Sequence, residues 1–148
     1  MKRRHPTSAD RPGPPGQFQY FTYGPLEFNI TRAHLLAANR RKYQPHWRQP
    51  SMDMVGPDTD IDPAQVERAE IGKPVLFATL ALEGHPPELL IDGNHRVLKA
   101  LRQGKRVRAI LLDLEDTLRV VRGPEHFLQE MRENGRRRGM LAPGQVPS

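Results

Sequence analysis

The residues best suited to chemistry lie together in the stretch 89–101. An apolar run is followed by Asp92-Gly93-Asn94, and His95 and Arg96 stand in the first turn of the helix predicted next. The free backbone N–H groups and positive dipole end of a helix N-terminus favour phosphate. An arginine guanidinium can also bond two phosphate oxygens in one plane. This stretch predicts an anion site for a nucleotide or a nucleic-acid backbone.

Each residue of this motif has its own predicted role. Gly93 allows a tight turn, Asn94 is a candidate N-cap, and Arg96 is predicted to bond phosphate. His95 is predicted to contact the same phosphate, with packing against a neighbouring element as the alternative. Asp92 has two interpretations: a carboxylate near a triphosphate binds Mg²⁺ directly or through water, or it accepts bonds from the amides of its own turn.

Phosphoryl transfer would require more than a phosphate site, because it needs Mg²⁺ to neutralise charge and a residue that orients the nucleophile. No motif shows which acidic residue does this; the candidates are Glu27, Asp53, Asp58 and Asp60. For the last two, a solvated position near a helix start is the simpler interpretation. The other histidines show no metal-ligand spacing: His5, His34, His46, His85 and His126. With no cysteine, a structural zinc site is not expected.

The surrounding pattern predicts the elements that position the motif. In chain order they are extended segments at 18–23 and 26–30, a helix at 32–42 capped by Thr31, a helix at 63–71 capped by Asp62, a β-hairpin of 75–82 with 88–91, the motif helix to Gly104, a strand at 107–114 and a last helix from Pro124 to about Gly135. This mixture predicts a compact α+β domain, with a small mixed sheet and a central hairpin flanked by helices.

The stretch 43–61 shows several prolines and no sustained period, which predicts a long loop. Loops of this length are usually functional or disordered, and substrate choice is expected to reside here. Trp47, the only tryptophan, either stacks on a base or anchors the loop to the core.

The stretch 62–117, a little over a third of the chain, resembles the ParB/sulfiredoxin family. The resemblance rests on a helix ending in Gly72, a Pro-led strand Lys73-Pro74-Val75-Leu76, a hairpin to Ile91-Asp92-Gly93, the pair His95-Arg96, Ala100, a helix end at Gly104 and a strand at 107–112. It implies a small α+β domain that binds the phosphates of ATP or CTP, with Mg²⁺, at the N-terminus of the motif helix.

By position, the resemblance implies phosphate binding by Gly93, Asn94, His95 and Arg96. Lys73 is predicted to extend to the same phosphates. Asp92 and His95 are the candidate catalytic residues of this site, and no metal ligands are assigned.

Two departures from the family narrow the expected activity. Sulfiredoxins need a cysteine immediately before the His-Arg pair, so Asn94 excludes sulfinic acid repair. Full partition proteins carry a helix-turn-helix domain and a dimerisation domain, which this sequence does not show. We therefore expect a stand-alone nucleotide-binding module, bacterial or plasmid-borne.

The composition is that of one basic domain. The chain has 148 residues, 23 Lys plus Arg against 17 Asp plus Glu, and a net charge of +6, which favours polyanionic partners. Residues 1–16 and 136–148 are predicted to be disordered tails around a domain at 17–135. With no cysteine, no secretory signal and no apolar run of about 18 residues, we expect a cytoplasmic protein without a membrane segment.

Three functions remain open from the sequence. The first is binding of a nucleoside triphosphate, ATP or CTP, with hydrolysis or phosphate transfer undecided. The second is a DNA-binding or partner-binding regulator, in which the basic ends supply affinity and the motif contacts backbone phosphates. A ParB-like nuclease is a third reading. The acceptor and the oligomeric state are not predicted.

Overall fold

Two small β-sheets and five helices make up the described residues, 18–56 and 59–141, of the computed structural model. The strands are β1 (Tyr20–Tyr23), β2 (Leu26–Asn29), β3 (His46–Arg48), β4 (Val75–Thr79), β5 (Glu88–Asp92), β6 (Val107–Leu112) and β7 (Val121–Arg122). The helices are α1 (Ile30–Asn39), α2 (Pro63–Arg68), α3 (Asn94–Gln103), α4 (Leu114–Val120) and α5 (Glu125–Arg137). The predicted α+β class is confirmed.

The four-stranded sheet positions the motif. Its strand order is β3-β6-β4-β5, with β4 antiparallel to β5 and parallel to β6. The predicted hairpin and the mixed character of the sheet are therefore confirmed. Because Leu76 near the start of β4 pairs with Asp92 at the end of β5, the segment before β4 lies beside the beginning of α3.

A second sheet was not predicted. It has the order β1-β2-β7, and its third strand is the short segment Val121–Arg122, which pairs with β2 through Phe28 and Glu27. The extended segments predicted near the N-terminus are confirmed as β1 and β2, but they form a sheet of their own instead of joining the hairpin.

The two faces of the four-stranded sheet build two separate cores, because successive side chains of a strand point to opposite faces. Val75 and Phe77 face the cluster that packs against α3. Leu76 and Ala78 face the larger cluster, which includes residues of α1, α4, α5 and the second sheet. The motif helix thus covers one face of the sheet, and α1 lies across the other.

The first helix begins two residues earlier than predicted. Its N-cap is Asn29, whose side-chain oxygen accepts a hydrogen bond from the Arg32 amide at 2.9 Å. The predicted cap, Thr31, instead accepts a bond from the Gln19 amide at 2.9 Å, which connects the helix to the segment before β1. The prediction was wrong because both residue types are good caps and only the tertiary contact distinguishes them.

The stretch 43–61 is not wholly a loop, since it contains β3 and a 3-10 turn at Met52–Met54. β3 pairs with β6 over three residues. Such a short edge strand has no periodicity of its own, so its pairing partner determines it. The strand predicted for 107–114 ends at Leu112, and a helix that was not predicted, α4, follows.

The described structure continues past the predicted domain end at 135. Helix α5 continues to Arg137, and Leu141 is buried in the larger core. The predicted tail from 136 is therefore wrong as far as 141, because the side chain of Leu141 lies against Gly135 of α5. The predicted tail at 1–16 and residues 142–148 lie outside the described residues.

A buried acid, Asp116 of α4, connects this helix to the end of α1. The Tyr43 hydroxyl donates to its Oδ2 at 2.7 Å and accepts from the Asp113 amide at 3.2 Å. Burial, together with the hydrogen bond to Asp116, raises the pKa of Tyr43 well above its usual range. The hydrogen bond with Asp113 raises the pKa of Lys42 against the opposing effect of desolvation.

These shifts predict a loss of stability in alkali. Above pH about 10 an unfolded tyrosine releases its proton, whereas native Tyr43 keeps it. The unfolded state then binds fewer protons, so the free energy of unfolding falls as pH rises. In Tyr43→Phe we expect about 1 kcal/mol lower stability at pH 7 and a gap to the wild type that narrows above pH 10. Urea unfolding of both proteins from pH 7 to 11 measures this difference in free energy of unfolding. A difference that stays constant with pH would refute the raised pKa of Tyr43.

Candidate anion-binding cavity

The turn between β5 and α3 is fixed by Gly93. Its φ angle is +108°, a left-handed conformation that disfavours residues with a side chain. A Cβ atom at this position would lie 2.6 Å from Cγ1 of Val75. The glycine predicted for a tight turn therefore has that role, and the close approach brings the start of α3 against the start of β4.

His95 is fully buried. Its Nε2 accepts a hydrogen bond from the Asp62 amide at 3.3 Å. Asp62 caps α2 through its side chain, so the imidazole connects the beginnings of two helices. His95 therefore packs against a neighbouring element, and its phosphate-binding and catalytic roles stay predictions.

Asp92 is also buried, with its side chain 1% exposed. Its Oδ2 lies 2.5 Å from Nε2 of His34 on α1 and 3.9 Å from a terminal nitrogen of Arg96. The Arg96 guanidinium in turn donates to the Pro74 carbonyl at 3.3 Å. Asp92 therefore stands between two side chains from different helices. This partner set differs from both interpretations given for Asp92 from the sequence.

A cavity of about 410 Å³ opens between α1, the segment before β4 and the first turn of α3. We call it the cationic cavity, because the described residues that line it include Lys73 and Arg96 and no Asp or Glu. The rest of the lining is His34 and mostly apolar residues: Ala37, Ala38, Tyr43, Pro45, Pro74, Val75, Leu76 and Ile110. The lining thus combines positive charge with hydrophobic contact surface.

The cationic cavity contains two of the five predicted phosphate-binding residues. Lys73 and Arg96 line it, whereas Gly93, Asn94 and His95 are buried and are not part of its lining. Lys73 also pairs with Glu70 at 2.9 Å on the surface, and this pairing lowers the pKa of Glu70. The phosphate contacts predicted for Gly93, Asn94 and His95 stay predictions.

Sequence reasoning missed His34. The residue lies 58 positions before Asp92, so no local spacing connects them. The nearest signal was on α1 itself, where His34, Ala37 and Ala38 stand at i, i+3 and i+4 and therefore share one face of the helix. That face lines the cationic cavity.

The carboxylates considered for phosphoryl transfer do not meet at this site. Glu27 pairs with Arg122 at 2.8 Å in the second sheet, and Asp53 lines a different cavity. Asp60 is not part of the cationic cavity, and Asp58 lies outside the described residues. Among the residues that the structure describes, no group of three or more His, Asp or Glu side chains could hold a metal ion.

Trp47 is not an anchor to the core, since 58% of it is exposed. It lies on the edge strand β3, opposite Arg108 of β6. The interpretation that Trp47 pins its loop to the core is therefore wrong, because a three-residue edge strand leaves this side chain on the surface. Stacking on a base remains a prediction.

The basic side chains near the C-terminus are partly neutralised. Arg132 pairs with Glu125 at 2.9 Å, and Arg138 pairs with Glu83 at 2.9 Å. The basic residues predicted at the N-terminus are outside the described part of the chain. Within that part, no helix combines the length and the apolar character that crossing a membrane requires.

The fold and the cationic cavity define a small α+β protein with a cavity suited to an anion. No family model matches this chain, and no curated protein or solved structure matches it significantly. The resemblance to the ParB/sulfiredoxin family therefore rests on the motif residues alone.

Proposed function

We propose that this protein binds a nucleoside triphosphate in the cationic cavity. The observation that carries the proposal is the composition of the lining, in which Lys73 and Arg96 stand beside mostly apolar residues, with no Asp or Glu among the described lining residues. Its volume of about 410 Å³ lies in the range of about 300–1,000 Å³ usual for small-molecule sites. A ligand with an anionic end and a flat apolar end fits this arrangement.

The phosphates would lie at the Lys73 and Arg96 end. The Arg96 side chain is 11% exposed and fixed against the Pro74 carbonyl, so its guanidinium is oriented before a ligand arrives. Lys73 pairs with Glu70, whose side chain is 68% exposed. Because exposed ion pairs contribute little stability, a phosphate oxygen can replace Glu70 at low cost. The two cations together suit the charge of a triphosphate.

The base would lie against the apolar walls. The apolar part of the lining includes Ala37 and Ala38 of α1 together with Pro45 and Ile110. Small side chains on α1 leave room for a flat ring, and both faces of a nucleobase are apolar enough to favour such contact. We propose ATP or CTP, because the motif resembles a family whose members bind these nucleotides.

Mg²⁺ would accompany the triphosphate, since the described residues do not offer it a ligand set of their own. Magnesium is commonly held by substrate phosphates and water, with one or two carboxylates. Asp92 is the carboxylate that the sequence offers for this role, and its Oδ2 is bonded to His34.

The DNA-binding alternative requires exposed cations that can contact backbone phosphates. Arg132 and Arg138 pair with exposed acidic side chains, and such weak pairs do not prevent a contact with phosphate. The observation that favours a small ligand is the shape of the cationic cavity, because a concave site suits a small molecule better than a duplex.

A variant that fills the cationic cavity tests whether the nucleotide binds there. Ala38 is an exposed residue of α1 that lines the cationic cavity, so a larger side chain fills the cavity without entering the core. In calorimetric titrations with Mg²⁺-ATP and Mg²⁺-CTP, we expect the wild type to bind and Ala38→Trp to lose at least about 10-fold in affinity, equivalent to about 1.4 kcal/mol.

The matched control is Leu35→Trp. Leu35 lies on the same helix, is 56% exposed and does not line the cationic cavity. It should bind like the wild type. Equal affinity for all three proteins would place the ligand elsewhere, and no binding by the wild type would refute the proposal.

A further inference from the structure

His34 and Asp92 form a pair that the binding of a nucleotide does not require. They come from α1 and β5, and 2.5 Å separates Nε2 of the histidine from Oδ2 of the aspartate. The Asp92 side chain is 1% exposed, while the His34 side chain is 47% exposed. A buried carboxylate thus holds an accessible imidazole at the wall of the cationic cavity.

The hydrogen bond determines the tautomer of His34. An ionised carboxylate only accepts hydrogen bonds, so the proton of a neutral imidazole lies on Nε2, facing Asp92. The other ring nitrogen, Nδ1, then carries a lone pair and can accept a proton. The Arg96 guanidinium lies 3.9 Å from the same carboxylate oxygen.

This proton acceptor shares a cavity with the cations. His34 and Arg96 both line the cationic cavity, and both contact Asp92 from different directions. A phosphate held by Arg96 would therefore lie in the same enclosed volume as the imidazole. A general base must reach the nucleophile of the reaction directly or through one water, so the base of such a reaction has to share the cavity of the phosphate, as His34 does.

We propose that His34 is the general base of a nucleoside-triphosphate hydrolysis, with Asp92 as its positioning residue; this inference rests on the proposed function. Nδ1 of His34 takes a proton from a water molecule as the water oxygen forms a bond to the γ-phosphorus. The bond from that phosphorus to the bridging oxygen breaks, and its electron pair stays on the nucleoside diphosphate. The products are the diphosphate, inorganic phosphate and the proton held by His34.

The first experiment compares phosphate release by the full-length wild type with His34→Gln and Asp92→Asn, using the Mg²⁺ complex of the nucleotide that binds in titration. We expect kcat to fall about 100-fold in His34→Gln, with KM and Kd within about 3-fold of the wild type. An asparagine at 92 can donate to Nε2 and so leave the proton on Nδ1, which should lower kcat at least 10-fold. His126→Gln, an exposed histidine of α5, is the control.

The second experiment distinguishes a catalytic role of His34 from a purely structural role in its ion pair with Asp92. We expect added imidazole to restore part of the phosphate release of His34→Ala, because a free base can occupy the vacated space. A purely structural role predicts no response, so a loss of rate without rescue overturns the inference. Unchanged kcat in His34→Gln overturns it too, as does a wild type that binds nucleotide but releases no phosphate. Failure of the wild type to bind refutes the proposed function itself.

Discussion

Replacing Arg96 with alanine is expected to raise the Kd for the bound nucleotide about 100-fold. The guanidinium lines the cationic cavity, and it is held between Asp92 and the Pro74 carbonyl. Hydrogen bonds to charged groups contribute about 1.5–3 kcal/mol, and about 1.4 kcal/mol corresponds to a factor of ten in affinity. Two bonds to phosphate oxygens therefore account for a change of this size. Calorimetric titration with the Mg²⁺-nucleotide measures it.

The control for this variant is Arg102→Ala. Arg102 lies in the last turn of the same helix, is exposed and does not line the cationic cavity. The two variants remove the same charge from the same element, so only the contact with the ligand differs between them. Equal losses of affinity would mean that net charge, and not a defined site, attracts the nucleotide.

Replacing Gly93 with alanine is expected to lower the free energy of unfolding by about 3 kcal/mol or more. Two effects add at this position. The backbone has a φ angle of +108°, and strained backbone conformations of this kind cost about 1–3 kcal/mol. The new Cβ would also lie 2.6 Å from Cγ1 and 2.8 Å from Cβ of Val75, where overpacking costs about a further 1–3 kcal/mol.

The matched control is Gly104→Ala at the other end of α3. Gly104 also has a positive φ angle, +65°, but nothing lies within 4 Å of its Cβ position. A cost of about 1 kcal/mol is expected there from the left-handed conformation alone. Urea unfolding of both variants measures the difference. If the two variants lose the same stability, the close approach between Gly93 and Val75 does not constrain the fold as described.

The sequence identified the motif helix well because both of its ends are determined locally. Gly93 precedes the first turn and Gly104 terminates the last, each in a left-handed conformation that glycine adopts without a penalty. The hairpin of β4 and β5 was predictable for a similar reason, since its strands are apolar runs and Gly84, Pro86 and Pro87 stand between them. The first strand ends at Thr79, three residues before the predicted end at 82. These features need no knowledge of distant residues.

Other parts of the fold depend on partners that are distant in the chain. β3 is a strand only because it pairs with β6, and β7 only because it pairs with β2. Helix α4 did carry a local signal: the Asp113 side chain caps it by accepting a bond from the Asp116 amide at 3.0 Å. That signal was obscured by the apolar residues before it, which extended the predicted strand.

The residues of the candidate site also fall into two groups: those that local sequence patterns predict and those that only the fold brings together. The sequence located Arg96 and Lys73, because the motif and the Pro-led strand are local patterns. It also assigned His95 to phosphate, whereas the fold buries the ring against the start of α2. His34 was not found, because its relation to Asp92 exists only after α1 has packed against the sheet. A cavity lined by five separate segments, namely α1, 43–45, 73–76, the first turn of α3 and β6, has no counterpart in local spacing.

The most direct test of the central claim is a nuclear magnetic resonance titration of the ¹⁵N-labelled protein with Mg²⁺-ATP and Mg²⁺-CTP. The account predicts that the largest shifts of backbone amide signals belong to residues around the cationic cavity, namely His34, Ala37, Ala38, Lys73, Val75 and Arg96. Signals from α5 should stay in place. Shifts confined to α5, or a spectrum unchanged at millimolar nucleotide, would contradict the claim that this cavity binds a nucleoside triphosphate.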